Sequence, residues 1–343
     1  MSANKKILLT GGAGYIGSHT AVELIQQGFE VVIVDDLSRS EVRMIEGIEK
    51  ITGKKVNFYQ GDCGDEGFLQ DVFTREQIES VIHFAAFKSV NESVENPLLY
   101  YKNNIGSMVN LLKLMQQFQI SKIIFSSSCT VYGQPDSIPV DENAPFKKAE
   151  SPYGATKQMC ERIIEDATKA NKNLRSISLR YFNPVGAHPS SLIGELPIGV
   201  PGNLIPFVTQ TAAGIRKKLT VFGNDYDTPD GSCVRDFIHV VDLAKAHVKA
   251  LEKIGEMPTN NEAFNLGTGT GVTVLELVKK FISVTGIQLP YEIGQRRPGD
   301  VEKIYGDPAK AEKLLGWETL NSLEDSLRDA WNWEKRIRGN GNK

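Results

Sequence analysis

With 343 residues, the chain is longer than one hydrophobic core usually supports, so we expect two coupled lobes. Hydrophobic residues make up 41% and charged residues 24%, which is typical of a folded protein of ordinary composition. The formal net charge of −3 argues against binding of nucleic acid, or of an anionic membrane, through an overall electrostatic field.

Cysteine spacing and hydropathy indicate the cellular compartment of the protein. Cys63, Cys129, Cys160 and Cys233 are far apart and form no Cys-x-x-Cys pair, which predicts reduced thiols and neither a disulfide framework nor a metal site. The N-terminus leads directly into a strand-like segment, without a signal-peptide pattern. No apolar run approaches the ~18 residues of a membrane helix. We expect a cytoplasmic protein without membrane segments.

Short apolar runs alternate with helical patterns through the first half of the chain. The runs are bounded by Gly, Asp or Ser and predict buried strands at residues 7–10, 31–34, 56–60, 81–84, 123–127 and 176–179. Apolar residues at helical spacing predict helices at residues 16–27, 108–118 and 158–170. This alternation predicts an α/β fold with a doubly wound parallel sheet, Rossmann-like in its topology.

The pattern changes in the second half. Residues 184–235 are rich in Pro, Gly, Asn and Asp, and a new alternation of helix and strand begins at residue 237. We therefore expect interleaved domains. Residues 1–183 plus 236–266 form the dinucleotide-binding domain, residues 184–235 and 267–338 form a second, smaller α/β substrate domain, and residues 339–343 form a disordered tail.

A glycine-rich turn follows the first predicted strand and opens the first predicted helix. Gly11, Gly14 and Gly17 allow a tight turn and close approach to a pyrophosphate, which the helix N-terminus then binds. Asp35 ends the second strand, where a carboxylate accepts hydrogen bonds from ribose hydroxyls. This carboxylate would repel a 2′-phosphate, so we expect NAD rather than NADP, although Arg39 could partly offset the repulsion.

Polar residues end two further strands. Asp62 follows the third strand and would lie near the adenine, but aspartate is equally common in simple turns. Ser126, Ser127 and Ser128 end the fifth strand, at the edge of the sheet where ligands bind in this fold class. Their hydroxyls could bind a substrate alcohol and its carbonyl product.

Tyr153 and Lys157 carry the clearest chemical signal of the chain. Residues four apart share one face of a helix, and an ammonium close to a phenol lowers its pKa from about 10. Such a phenol can take a proton from an alcohol while hydride leaves the same carbon. Alone the spacing is common, but it follows a dinucleotide turn and a serine-rich strand end.

In that order and spacing, these motifs resemble the extended short-chain dehydrogenase/reductase family. More closely, residues 11–19, 81–85, 180–189 and 234–240 resemble the UDP-glucose 4-epimerases, and the similarity covers essentially the whole chain. The resemblance implies reversible epimerisation at C4 of a UDP-hexose, interconverting UDP-galactose and UDP-glucose through a transient 4-keto sugar with tightly bound NAD. It also implies a homodimer formed by helices at 108–118 and 158–170.

The resemblance also implies roles for individual residues. Tyr153 is the base at the sugar O4, Lys157 holds the nicotinamide ribose and lowers the pKa of Tyr153, and Ser128 binds O4. The cofactor would be bound by Gly11, Gly14, Tyr15, Ile16, Gly17, Asp35, Asp62, Cys63, Phe84, Lys88, Asn103, Ser126, Tyr153, Lys157 and Tyr181. The UDP-sugar would be bound by Lys88, Ser128, Tyr153, Phe182, Asn183, Asn203, Leu204, Arg235, Arg297 and Asp300.

Two departures from related enzymes bear on the reaction. Related 4,6-dehydratases carry an acidic pair where this chain has Cys129 and Thr130, so elimination of water is disfavoured. Ile304 occupies a position that governs access of N-acetylated sugars in the epimerases; its intermediate size leaves that specificity open. The alternatives are another nucleotide-sugar enzyme on this scaffold, such as a reductase, decarboxylase or dehydratase, and a non-catalytic NAD-binding regulator.

Overall fold

A parallel β-sheet forms the centre of the fold, as seen in a computed structural model that describes residues 6–297 and 301–339. Its strands and those around it are β1 (Lys6–Thr10), β2 (Glu30–Asp35), β3 (Asn57–Gln60), β4 (Ile78–His83), β5 (Lys122–Ser128), β6 (Arg175–Tyr181), β7 (Asn183–Val185), β8 (Leu219–Phe222), β9 (Val234–Arg235), β10 (Phe237–His239), β11 (Asn261–Leu266), β12 (Val272–Thr273), β13 (Tyr291–Gly294) and β14 (Lys303–Ile304).

The helices flank these strands. They are α1 (Tyr15–Gln26), α2 (Arg43–Thr52), α3 (Glu66–Arg75), α4 (Val90–Glu95), α5 (Pro97–Tyr100), α6 (Gly106–Gln117), α7 (Pro152–Ala170), α8 (Leu204–Ala212), α9 (Val240–Lys253), α10 (Val274–Thr285), α11 (Ala309–Leu315) and α12 (Leu323–Gly339). A π-helical turn, Tyr101–Ile105, joins α5 to α6.

The main sheet has the strand order β3-β2-β1-β4-β5-β6-β11, and every neighbouring pair is parallel. The predicted strands of the first half are therefore confirmed, with shifts of a few residues at their ends, and so is the doubly wound α/β class. The chain turns from β1 outward to β2 and β3, and then back past β1 to β4. This reversal places the topological switch point between β1 and β4.

The sheet is buried on both faces because its strands carry apolar residues without alternation. In β1, Leu9 packs with α1, α2 and α9, whereas Leu8 packs on the opposite face with α3, α6 and α7. This two-sided burial explains why the strands appear in the sequence as continuous apolar runs.

Helix α7 begins earlier than the sequence indicated, at Pro152 rather than residue 158. Ser151 caps it by accepting a hydrogen bond from the amide of Gly154, at 3.2 Å, and Pro152 takes the first helical position, where proline is favoured. Tyr153 therefore lies in the first turn and Lys157 one turn later, on the same face.

The second half of the chain forms smaller sheets, β7–β10, β8–β13 and β12–β9–β14, with helices α8, α10 and α12. Their shared core includes Val208, Val221, Leu277, Phe281 and Leu327. Trp333 of α12 packs into the core of the main sheet instead, so the C-terminal part contributes to both cores.

The exact domain boundaries stay a prediction. Helix α12 includes Gly339, the first residue of the predicted tail, and residues 340–343 lie outside the described residues. In the ranges that the structure describes, the helices are too short or too polar to span a lipid bilayer.

Candidate active site

The carboxyl ends of the parallel strands bring many of the predicted site residues to one edge of the main sheet. Thr10, Asp35, His83, Ser128 and Tyr181 are the last residues of β1, β2, β4, β5 and β6, respectively. In open α/β sheets, ligands bind in the crevice outside these ends, at the topological switch point. The candidate site therefore lies beyond β1, β4, β5 and β6.

The glycine-rich turn has the geometry that a dinucleotide requires. Gly11 has a φ of +71°, and a Cβ there would lie 2.6 Å from the amide nitrogen of Ala85. A Cβ on Gly17 would lie 2.5 Å from the carbonyl oxygen of Gly11, so α1 packs this closely only with glycine. Gly14 caps α1 without a side chain, and the first turn of α1 carries no acidic residue. The positive end of α1 is thus available to a diphosphate.

The carboxylate of Asp35 joins this turn to the end of β2. Its Oδ2 accepts a hydrogen bond from the amide of Ala13 at 3.0 Å, and its Oδ1 accepts from the Leu37 amide at 3.0 Å and the Ser40 hydroxyl at 2.8 Å. Burial raises the pKa of Asp35, and these hydrogen bonds oppose the rise. A carboxylate has about four acceptor positions, so this one can still accept from a ribose hydroxyl.

Arg39 is engaged elsewhere. Its guanidinium pairs with the carboxylate of Glu92 on α4, at 2.5 Å, and stacks 4.9 Å from the ring centre of Phe87. Because Glu92 already balances its charge, Arg39 is less able to attract a 2′-phosphate. The preference for NAD is therefore supported.

The loop after β3 lies beside Asp35, because the amide of Gly61 donates to the carbonyl oxygen of Asp35 at 3.1 Å. Asp62 accepts from the Gly64 amide at 2.7 Å, which is the turn role considered for it. Cys63 is buried, and burial raises the pKa of its thiol to about 12. Contact of Asp62 and Cys63 with a cofactor stays a prediction.

Tyr153 and Lys157 meet the end of β5. The ammonium of Lys157 donates to the carbonyl oxygen of Ser126 at 2.6 Å and lies 4.8 Å from the ring centre of Phe125. The same ammonium is 5.9 Å from the ring centre of Tyr153. Tyr153 and Lys157 therefore share one face of α7, as predicted. The hydrogen bond to the Ser126 carbonyl holds the Lys157 ammonium in position.

The pKa expected for Tyr153 differs from what the structure gives. Burial raises the pKa of the phenol to about 12, with a smaller opposing effect from the Ser128 hydroxyl. Burial also lowers the pKa of Lys157 to about 8. Both charged forms are unfavourable away from water, and this desolvation is the largest influence on the pKa of each group. The protein's own groups therefore leave Tyr153 protonated at neutral pH.

Hydroxyl groups surround the phenol. Ser128 acts on the Tyr153 phenol through a hydrogen bond, and the Ser126 hydroxyl is hydrogen-bonded to the phenol of Tyr181. Burial raises the pKa of Tyr181, with Ser126 opposing the rise. The predicted residues Ser126, Ser128, Tyr153, Lys157 and Tyr181 are therefore brought together.

A buried ion pair that no sequence motif marks supports this cluster. The guanidinium of Arg180, on β6, donates to the carboxylate of Glu161, on α7, at 2.7–3.2 Å. The hydroxyl of Ser127 donates to the same carboxylate at 2.5 Å. The pair thus binds α7 to β5 and β6 directly behind the site.

Residues from β9 and β14 lie on another side of the candidate site. Phe182, Cys129 and Ile304 share a small buried cluster, and Ile304 pairs with Arg235 across β14 and β9. Burial raises the pKa of the Cys129 thiol to about 12, against the smaller effect of the Arg235 charge. Ile304, Phe182 and Arg235 therefore lie beside the residue that follows Ser128.

Lys88 and Asn203 both contact Glu195, a residue that no sequence motif marks. The ammonium of Lys88 donates to Oε1 of Glu195 at 2.9 Å, and the side-chain amide of Asn203 donates to the same oxygen at 2.6 Å. Lys88 also lies 6.0 Å from the ring centre of Tyr15 in the glycine-rich turn. These contacts link the two lobes beside the turn.

An exposed aromatic ring was also missed. The guanidinium carbon of Arg297 is 5.6 Å from the ring centre of Phe222, at the end of β8. Its partner in the prediction, Asp300, lies outside the described residues. An exposed ring beside an arginine is a suitable face for a base that carries phosphates.

The remaining predicted residues lie at the ends of elements. Asn103 is in the π-helical turn and donates to the side chain of Asn104 at 2.9 Å. Ile16 is in the first turn of α1, Phe84 follows β4, Asn183 begins β7 and Leu204 begins α8. Their roles in binding stay predictions. No group of three potential metal ligands occurs in residues 6–297 and 301–339.

Comparison with known proteins agrees with this geometry. The chain matches the family described as GDP-mannose 4,6 dehydratase over residues 8–330. It is 51% identical to the UDP-glucose 4-epimerase of Bacillus subtilis over 328 residues, 96% of either chain. The crystal structure of UDP-glucose 4-epimerase from Bifidobacterium longum, in complex with NAD+ and UDP, is 46% identical, with a TM-score of 0.94 over 98% of this chain and 100% of that one.

A further structure, the UDP-Glc/GlcNAc 4-epimerase from Campylobacter jejuni, is 37% identical with a TM-score of 0.84, over 97% of this chain and 100% of that one. Relatives of this group therefore include one named for N-acetylated sugars. The matches extend over almost the full length of both partners. The chain belongs to the GDP-mannose 4,6 dehydratase family, within the group of UDP-glucose 4-epimerases.

Proposed function

We propose that this protein is an NAD-dependent UDP-glucose 4-epimerase that interconverts UDP-galactose and UDP-glucose through a transient 4-keto sugar. The observation that carries the proposal is the cluster of Tyr153, Lys157 and Ser128 beside a glycine-rich turn and a ribose-binding carboxylate. Relatives that are 50–51% identical in sequence are named UDP-glucose 4-epimerase. The crystal structure of one relative is a complex with NAD+ and UDP.

Tyr153 is the group proposed to accept and return the proton. As a phenolate, its side chain would take the proton from the sugar O4 and return it to O4 once hydride has been added to the opposite face of C4, while Ser128 holds the same oxygen. Bound NAD+ supplies the hydride acceptor and a positive charge that favours the phenolate, which the protein's own groups do not stabilise enough. Lys157, fixed by the Ser126 carbonyl, adds its charge on the side of the ring facing β5.

Substrate is held mainly by its nucleotide. Arg235 and Arg297 would bind the diphosphate, because a guanidinium matches its oxygens. The exposed ring of Phe222 would stack on the uracil. The hexose then has few contacts of its own and can turn between the two hydride transfers. Asp300 stays a prediction for this part of the site.

The test is epimerisation by purified protein without added reductant. UDP-galactose should become UDP-glucose, and Tyr153→Phe should lose about 10²- to 10⁴-fold in rate, the usual contribution of a general base. Tyr291→Phe, at an exposed tyrosine on β13, is the matched control and should keep the wild-type rate. Net release of NADH in proportion to product would contradict an epimerase.

Dehydration is the second candidate, because the matching family is described by that reaction. It requires an acid beside the sugar to expel water. This chain has Cys129 there, with a thiol pKa of about 12, and Thr130, which is uncharged. Incubation with UDP-glucose should therefore yield no product lighter by one water in a mass spectrum; such a product would favour the dehydratase.

We also propose a homodimer in the cytoplasm. Helices α4, α5 and α6 pack beside α7, and these four helices expose apolar side chains: Val94, Leu98, Leu99, Val109 and Met159. Leu98 is 80% exposed, and burying this face against a second copy would remove it from water. The four cysteines are buried free thiols, which fits a reducing compartment. Light scattering should give twice the chain mass, and Leu98→Glu should shift it toward the monomer.

A further inference from the structure

The ammonium of Lys157 is a buried positive charge whose described hydrogen bond goes to a neutral group. Its side chain is 4% exposed, and it donates to the carbonyl oxygen of Ser126 at 2.6 Å. Burial lowers the pKa of Lys157 to about 8, because a charge is costly away from water. A group that keeps this ammonium protonated must therefore offset the cost of burial.

Glu161 lies one helical turn beyond Lys157 but is engaged by other groups. Its carboxylate accepts three hydrogen bonds from Arg180, at 2.7–3.2 Å, and one from the hydroxyl of Ser127, at 2.5 Å. The opposite charges of Glu161 and Arg180 largely cancel each other. The charge of Glu161 raises the pKa of Lys157 by less than burial lowers it. The ammonium therefore needs a further source of stabilisation.

The ring of Phe125 is placed to supply it. The ammonium of Lys157 lies 4.8 Å from the ring centre, within the ~6 Å of a cation–π contact. Phe125 is 2% exposed, on β5 directly before Ser126. The ring of His83 stacks with that of Phe125, at 6.1 Å between their centres, and its Nδ1 lies 2.7 Å from Oγ1 of Thr10. Neighbouring side chains thus fix the ring, and neither the ring nor the ammonium is open to water.

Titratable groups face this part of the site from three further elements: Tyr153, Cys160 and Glu161 on α7, His83 on β4, and Arg180 and Tyr181 on β6. Burial lowers the pKa of His83 to about 3 and raises that of Cys160 to about 11, so both are neutral near pH 7. Burial raises the pKa of both phenols, which are then protonated. With Glu161 and Arg180 paired, Lys157 carries the excess positive charge of this cluster.

We propose that Phe125 is a positioning residue whose ring face holds the Lys157 ammonium, in its charged form, beside Tyr153. The inference rests on the proposed function, in which the charge of Lys157 favours the Tyr153 phenolate. A carboxylate in place of the ring would stabilise the ammonium but also cancel its charge. An aromatic face stabilises a cation and leaves its charge in place. The charge therefore stays available to the phenol, whose ring centre lies 5.9 Å from the same ammonium.

The test replaces Phe125 by a trifluorinated phenylalanine in the NAD-loaded protein. Fluorine withdraws electrons from the ring face and nearly preserves its shape, so the substitution weakens the cation–π contact without removing the packing. The titration of Lys157 is followed by NMR of protein with isotope-labelled lysines, and its signal is assigned by its loss in Lys157→Met. The midpoint should fall by about one pH unit, which corresponds to about a tenfold weaker hold on the charged form.

Activity should shift in the same direction. The decline of kcat at alkaline pH should begin about one pH unit lower in the fluorinated protein, because Lys157 then loses its charge sooner. KM for UDP-galactose should stay unchanged. Phe125→Leu, which keeps an apolar side chain and removes the ring, should shift the NMR midpoint and the decline of kcat at least as far.

Phe73→Leu is the matched control. Phe73 is 3% exposed in the same core as Phe125, and its ring packs against that of Phe118, at 5.5 Å between centres. Loss of this buried ring should lower the melting temperature but leave the titration of Lys157 unchanged. An equal shift of the Lys157 midpoint in Phe73→Leu would indicate a loosened core and refute the inference.

The NMR measurement needs no turnover, so it separates this inference from the proposed function. A Lys157 midpoint that is unchanged by the fluorinated ring refutes the inference alone. If fluorination shifts the midpoint but the wild-type protein does not epimerise UDP-galactose, the proposed function is refuted, and the catalytic role of the ring with it. A shifted midpoint together with a shifted kcat profile supports both.

Discussion

The buried pair of Glu161 and Arg180 offers a strong test of how α7 is held against the sheet beside the candidate site. The two side chains are only 9% and 8% exposed, respectively, and three hydrogen bonds join them. We consider Arg180→Met, which keeps a flexible apolar chain and removes the guanidinium. The carboxylate of Glu161 then remains in the interior with the hydroxyl of Ser127 as its remaining partner among the contacts described above.

The expected loss of stability is large. Removing one member of a buried ion pair costs about 3–5 kcal/mol, because the other charge stays desolvated. Arg180 also donates to the phenol of Tyr132 at 3.0 Å, so a second buried group loses a partner. At about 2 °C per kcal/mol for a chain of this size, we expect the melting temperature to fall by about 6–10 °C.

A double variant tests whether an unpaired buried charge causes the loss of stability. Glu161→Leu combined with Arg180→Met removes both charges, and replacing a buried pair by apolar residues is often neutral or stabilising. Melting followed by circular dichroism should show the double variant recovering most of the loss. If it melts as low as the single variant, an unpaired charge is not the cause. A single variant that melts within about 2 °C of the wild type would also contradict the reasoning.

Three further predictions concern pH, specificity and nucleotide binding. Burial lowers the pKa of His19 and His83 to about 3 and that of His247 to about 4. Their ordinary value is near 6.5, so the unfolded chain binds more protons below pH 6.5 and stability falls as the pH drops, by about 1.4 kcal/mol per pH unit for each histidine. Urea midpoints between pH 7 and pH 5 should show this decline, and a flat profile would contradict it. Ile304→Ala should raise the rate with UDP-N-acetylglucosamine relative to UDP-glucose, in a competition assay, because it enlarges the wall of the site; an unchanged ratio would mean that this side chain does not limit access. Phe222→Ala should weaken UDP binding by about 1–3 kcal/mol in a calorimetric titration, the range for a base stacked on an aromatic ring, and an unchanged affinity would place the uracil elsewhere.

Much of the fold could be predicted because its signals are local. The strands of the main sheet are buried on both faces, so each appears as a continuous apolar run bounded by turn residues. Gly11 and Gly17 are likewise required by contacts within the turn or directly beside it. The start of α7 was predicted too late because the helical apolar pattern begins after its first turn, whereas the cap at Ser151 is a polar signal.

The missing parts of the site depend on contacts between distant residues. Glu195 is separated from Lys88 by 107 positions, and no neighbouring motif marks it as a site residue. Phe222 ends a short strand, and the contact that indicates a binding face comes from Arg297, which is distant in the sequence and follows the neighbouring strand β13. Glu161 could have been noticed one helical turn after Lys157, but its partner on β6 could not be assigned from spacing.

The phenol of Tyr153 shows where sequence reasoning about chemistry reaches its limit. The spacing of Tyr153 and Lys157 correctly predicts a shared helix face, yet the pKa depends on how far both groups are removed from water. Burial by β5 and β6 raises the phenol pKa to about 12 and lowers that of the ammonium to about 8. A base of this kind is activated only when further positive charge arrives, and that requirement links proton removal to a site already occupied by an oxidised cofactor. In the proposed mechanism, the burial that raises the pKa of Tyr153 would therefore make proton removal depend on bound oxidised cofactor.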